Sequence, residues 1–150
     1  MEFKFQADYN NLKEQCPPED YLPKQIENVF RFVFEDIDNQ KNFQSQYHKN
    51  PKRFQEKSDA EKCEALALSM FDNLTKAKEF FSKLKARTGN NIYQTIGNSL
   101  AVGSITEKAG VNGKVDRKGH FNHLHQKQTI ITYLKFLTAK KYSGWKILKI

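Results

Sequence analysis

The chain has 150 residues, 38% of them hydrophobic and 13% aromatic, with twelve Phe; this supports one packed core of single-domain size and excludes an intrinsically disordered chain. No window reaches the roughly 18 apolar residues of a membrane span, and the opening MEFKFQADYN lacks the basic-then-apolar order of a secretory signal, so a cytoplasmic protein without membrane contact is expected. The formal charge of +8 is segregated: residues 1–75 hold 10 Lys/Arg and 14 Asp/Glu, whereas residues 76–150 hold 15 and 3. Such segregation creates a field that draws in polyanions and speeds their encounter. Nucleic acid, RNA or single strands above all, is therefore the expected partner. Cys16 and Cys63 form neither a CxxC pair nor a zinc-type spacing, which predicts two reduced thiols.

Residues 1–24 read as an extended or irregular arm, because CPPEDYLP sets Pro17, Pro18 and Pro23 close together and proline forbids a regular helix. A single globular core over 25–150 follows. NVFRFVFEDID alternates with period two: Val29, Arg31 and Val33 share one side, and Phe30, Phe32 and Phe34 the other. That pattern predicts a strand with its Phe face in the core, leaving Arg31 on the opposite face in need of water or an anion. Residues 36–58 are polar, rich in Gln and Asn and broken by Pro51; they predict a long irregular loop pinned by Phe43, Tyr47 and Phe54. The apolar run 65–71 predicts a strand ending at Ser69 to Phe71.

A helix is predicted over 72–87. Asp72 suits the N-cap, Leu74, Ala77, Phe81 and Leu84 form one apolar stripe, and Gly89 supplies the stop. Its wet face aligns Lys76, Lys83 and Arg87, flanked by Lys78 and Lys85, with Glu79 as the single acid. Glycines 97, 103, 110 and 113 among β-branched residues predict at least two further strands, with Asn112-Gly113 as a hairpin turn. Ile130, Ile131, Tyr133, Leu134, Phe136 and Leu137 suit a buried helix or strand, and WKILKI a final strand. No internal repeat is present. The composite is an α+β domain: a small, mainly antiparallel sheet packed by a basic amphipathic helix, with an irregular N-terminal arm and a long polar loop.

The stretch KVDRKGHFNHLHQK, residues 114–127, gathers three histidines among Lys114, Arg117 and Lys118. On a strand His123 and His125 share a face, while His120 and His123 share one only on a helix, so the three do not converge on a metal from one element. Cations nearby also repel a dication, and no metal site is expected. Cations beside an imidazole push its pKa down and leave a neutral base, although the same side chains serve equally as core or solvated histidines. Glu35, Asp36 and Asp38 form an acidic cluster that suits Mg²⁺ or a solvated turn. No G-x-G-x-x-G, P-loop or G-x-S-x-G motif occurs. The expected nucleic-acid contacts are Lys76, Lys83, Arg87, Lys114, Arg117, Lys118, Lys140 and Lys141, with Tyr142 and Trp145 as stacking platforms.

The order of features in VFRFV, LALSMF and TKAKEFF resembles the ADP-ribosyltransferase-like superfamily over roughly residues 29–106. In that fold a strand carries Arg or His, a later strand ends in Ser or Tyr, a helix follows, and an acidic residue completes a dinucleotide pocket. No Glu in clear strand context takes the last place; Glu107 stands at the end of SLAVGSITE. Relatives acting on phosphorylated RNA use basic and histidine residues there, which suits His120 or His123. The resemblance thus implies Arg31, Ser69, His120 and His123 as catalytic residues, and NAD as a cofactor under that reading alone; strand binding requires no cofactor. A third expectation is a protein-interaction module of toxin–antitoxin or defence type, in which the acidic half of one copy meets the basic half of another.

Overall fold

The structure, a computed structural model, describes residues 1–36, 39–127 and the backbone of 146–149. Its strands are β1 (Ile26–Val33), β2 (Leu68–Phe71), β3 (Ser99–Ile105), β4 (Gly110–Asn112), β5 (His120–His125) and β6 (Lys146–Lys149). Its α-helices are α1 (Gln6–Asn10), α2 (Gln46–Lys49), α3 (Asp59–Leu66), α4 (Leu74–Thr88) and α5 (Ile92–Thr95). The strands form one sheet in the order β4-β5-β2-β1-β3-β6, antiparallel at every pairing. This is an α+β fold. The final strand falls inside WKILKI as expected, whereas the apolar residues 130–137 lie outside the described residues.

Central β1 is buried on both sides, so the face of Arg31, expected to offer water or an anion, is packed as the Phe face is. Phe30 packs with Phe71, Leu100 and Ala77 of α4 on one side; Val29 packs with Leu68, Met70, Ile105 and Phe121 on the other. Alternation here separates aromatic from β-branched residues instead of inside from outside, because a covered central strand is apolar on both faces. Arg31, 5% exposed, sits among the second set. Its guanidinium donates to the Ser69 carbonyl at 3.0 Å through Nη1 and to the Asn42 carbonyl at 3.2 Å through Nη2. Main-chain dipoles thus partly replace the water it has lost.

The polar loop after β1 is ordered by side chains. Asn42 acts as a false strand partner: its Oδ1 accepts from the Phe34 amide at 2.6 Å, and its Nδ2 donates to the carbonyls of Phe34 and Asp36. Short 3₁₀ turns at Gln40–Phe43 and Pro51–Phe54 flank α2; Phe43 is buried, and the Tyr47 and Phe54 rings stack at 5.9 Å. Within the run 65–71 the strand begins only at Leu68, because Ala65 and Leu66 finish α3. That helix starts with a Ser58/Glu61 capping box. Asn73, not Asp72, caps α4, its Oδ1 accepting from the Lys76 amide at 2.9 Å. The Asp72 amide is committed to the Gly119 carbonyl, which continues the β2–β5 ladder and delays the helix by one residue.

The N-terminal arm is docked onto the sheet. Phe3 bridges to Gln126 and Leu22 to Asn112, and Phe3 and Tyr9 pack with Leu66, Val111 and Leu124. Cys16 and Cys63 form a disulfide across a Cα–Cα distance of 5.8 Å, correcting the expectation of two reduced thiols. No spacing rule could reveal it, since 47 residues of chain separate the two and the fold alone lays the arm over α3. With the pair bonded, cysteine content no longer argues for a reducing compartment. Asn112-Gly113 does not form a two-residue turn; β4 and β5 are joined by residues 113–119. Gly97, at φ +93°, is required where it stands, because a Cβ there would lie 2.1 Å from the Val33 carbonyl oxygen. Among the described residues no helix is long and apolar enough to cross a membrane.

Candidate functional site

The apolar stripe of α4 is spent on the sheet, where Ala77 and Phe81 are buried, so its cations face outward. Lys76, Lys83 and Arg87 line an open groove of about 270 Å³ opposite Arg117 and Lys118 of the β4–β5 connector, over Phe80 and Leu84, with Glu79 as the single acid among the described residues of the lining. The connector is held in place by Asp116. Its Oδ1 accepts from the amides of Lys118 at 2.8 Å and His120 at 3.0 Å, and its main-chain amide donates to the His120 carbonyl. Gly119 then turns with φ +71°, so close to α4 that a Cβ would meet Asp72 Oδ1 at 2.9 Å and Lys76 Cδ at 3.0 Å. Among the described residues, no carboxylate forms an ion pair with any of the five groove cations. Of the other cations, Lys85 donates to the Tyr93 hydroxyl at 2.7 Å and Lys114 is exposed away from the lining. Lys140, Lys141, Tyr142 and Trp145 lie outside the described residues, as does Asp38 of the acidic cluster.

Strand register divides the four candidate catalytic residues between the two faces of the sheet. Phe30 opposes Phe71, Phe71 opposes His120, and Ser69 opposes Asn122, so Ser69 and His120 share the face on which α4 packs. There His120 Nε2 lies 3.1 Å from Ser69 Oγ, the Phe71 ring packs against the imidazole at 5.4 Å, and Asp116 Oδ2 stands 3.8 Å from Nδ1. Partial burial pushes the His120 pKa below its ordinary value; Asp116 opposes that shift and Lys118 adds to it. The opposing Asn122 amide donates to the Tyr21 hydroxyl at 3.3 Å. Both Ser69 and His120 keep partial solvent access.

Arg31 and His123 occupy the other face, since His123 opposes Leu68. His123 is fully buried, with Nδ1 2.7 Å from Asn112 Oδ1, and burial followed by the Arg31 charge drives its pKa down to about 3. His125 lies beside it, ring centroids 6.2 Å apart; burial, then His123, Lys4 and Arg31, hold it well below its ordinary value. Lys49 is lowered to about 7 by burial, then by Arg31 and Lys41. This face carries neutral imidazoles packed with cations, whereas the Ser69–His120 pair lies on the α4 side and is partly exposed. The set implied by the resemblance, Arg31 with Ser69 and His120, is therefore split by the sheet: Arg31 reaches the carbonyl of Ser69 and not its hydroxyl side.

Sequence reasoning did not assign a role to Asp116 or to Phe80. The signal for Asp116 was present in DRKG, an Asp three residues before a Gly, which marks a side-chain-stabilised turn. Among the described residues no three His, Cys, Asp or Glu side chains cluster as metal ligands would. Comparison of the chain with protein families, with curated proteins and with solved structures found no match.

Proposed function

We propose that this protein binds single-stranded nucleic acid along the groove between α4 and the β4–β5 connector. One observation carries the reading: five cations from two distant segments, Lys76, Lys83, Arg87, Arg117 and Lys118, converge on one groove whose lining includes, among the described residues, a single acid. Phosphates tolerate any sequence of bases, so a row of ammonium and guanidinium groups supplies affinity without base readout. Half-buried Phe80, in the floor of the groove, offers an apolar surface for a base. A strand suits the site better than a duplex, because its unpaired bases can meet the apolar Phe80 and Leu84 of the lining.

A labelled RNA or DNA oligomer of about 15 nucleotides, titrated at about 50 mM salt, is expected to bind, and the affinity to fall roughly 100-fold by 200 mM if all five cations meet phosphates. Replacing Lys83 and Arg87 by Glu is expected to weaken binding at least tenfold at low salt. Absence of binding by the wild type at low salt, or indifference to these substitutions, rejects the proposal. Salt-sensitive self-association in a sizing column, without strand binding, would favour the protein-interaction reading instead.

A further inference from the structure

We propose that Ser69 and His120 form a nucleophile and its base at the end of the cationic groove, acting on a phosphodiester of the bound strand, with Asp116 positioning the imidazole. For its substrate the inference rests on the groove reading above. The pair is linked to the groove through the residues between them. Lys118 and Arg117 line the groove two and three residues before His120, the Lys76 side chain lies against Gly119, and the Phe71 ring touches both His120 at 5.4 Å and Phe80 of the groove floor at 5.2 Å. Lys76, against Gly119, and Lys118, whose charge acts on His120, are the cations the proposal assigns to the reacting phosphate.

The tautomer follows from the surroundings. A carboxylate accepts and cannot donate, so Asp116 at 3.8 Å from Nδ1 favours the proton there, which leaves Nε2 to accept from Ser69 Oγ–H at 3.1 Å. Partial burial disfavours the protonated imidazole, as a general base requires. Ser69 lies within β2, an interior strand paired on both sides, so the pair sits on rigid elements. In the first step the Oγ–H proton moves to Nε2 as Oγ attacks phosphorus; the bond from phosphorus to the leaving strand oxygen breaks, and that oxygen takes the proton from Nε2. Water then gives a proton to Nε2 and attacks the phosphoseryl ester, releasing a phosphate monoester end while Ser69 Oγ recovers its proton.

The test combines a fluorophosphonate probe, which transfers a tetrahedral phosphorus to an activated serine, with gel assays of cleavage of an end-labelled oligomer. Mass mapping is expected to place the adduct on Ser69, and Ser69→Ala to lose both label and cleavage while keeping its melting temperature and strand affinity. His120→Gln is expected to slow both on the order of 100-fold. The charges acting on His120 are Asp116 and Lys118 of its own connector; Asp72 and Lys76 at the start of α4 lie against the neighbouring Gly119, and Tyr21 of the arm is bonded to Asn122 two residues on. The labelling rate is expected to rise as pH climbs through the His120 pKa. Asp116→Asn keeps the oxygen that accepts the connector amides but removes the charge, so the midpoint of that profile is expected to move to lower pH. An unmoved midpoint removes Asp116 from the proposal. Strand binding without labelling or cleavage overturns the nucleophile and leaves the groove reading intact, whereas labelling without strand binding overturns the phosphodiester substrate and the groove reading together.

Discussion

At the scale of single residues, the histidines of one strand have opposite fates because a β-strand turns alternate side chains to opposite faces. His120 points to the α4 side and keeps water and Ser69 within reach, while His123 and His125 point into a packed face beside Arg31. The buried pair makes a pH prediction. Their folded pKa values lie below the unfolded value of about 6.5, so between that value and the folded ones, about 3 for His123, the unfolded chain binds more protons than the native one. Stability is then full above the unfolded pKa and lost as pH falls below it, with a slope up to about 1.4 kcal/mol per pH unit for each histidine. Denaturant midpoints measured from pH 7 to pH 4 are expected to show this decline, and His123→Gln to flatten it. A decline of unchanged steepness in the variant would place the effect on other groups. Period two was legible in HFNHLH, but which face would be buried was not, because both faces of the sheet are covered.

At the scale of elements, α4 was the most legible part of the chain. Its apolar stripe and basic face were evident from spacing, and the helix departs from expectation only at the cap, where a hydrogen bond from Asp72 to a residue 47 positions later decides the start. The helix α3 was missed although Ser58 and Glu61 form a capping box, because its eight residues merge into the apolar run of β2 without a breaker. The arm was expected to be irregular, and a tertiary bond holds it to α3. Replacing Cys16 and Cys63 by Ser is expected to cost about 2–4 kcal/mol, since the cross-link restricts the unfolded chain, and to lower the melting temperature on the order of 10 °C. A thiol assay on the denatured wild-type protein should find free thiols only after reduction. Two free thiols before reduction would remove the disulfide from the account.

At the scale of the whole molecule, five cations of the basic second half are gathered on one groove. The groove cations come from residues 76–87 and 117–118, and among the described residues Asp8, Glu61, Asp59 and Glu2 of the first half pair with His48, Lys57, Lys62 and Lys127, none of which lines the groove. Because the groove exists only when α4 and the connector are packed together, a ligand that fills it binds the folded chain selectively. On the proposed function, an oligonucleotide at about 100 times its dissociation constant is expected to add close to 2.7 kcal/mol by mass action, which for a domain of this size is a rise of roughly 5–10 °C in melting temperature at low salt. The rise is expected to vanish at about 500 mM salt; a rise that survives would mean that the ligand is held by something other than its phosphates.

The amino-acid sequence alone determined the α+β class, the basic helix, the existence of the late strands and the excess of positive charge in the second half, because periodicity and composition are local properties that no tertiary contact rewrites. Only the tertiary structure decided that Cys16 meets Cys63, that Arg31 is buried behind the sheet, that Ser69 and His120 face one another, and that five cations share a groove. Each of these joins residues distant along the chain, and such pairings follow from strand order and register, which hydrophobic patterning does not specify.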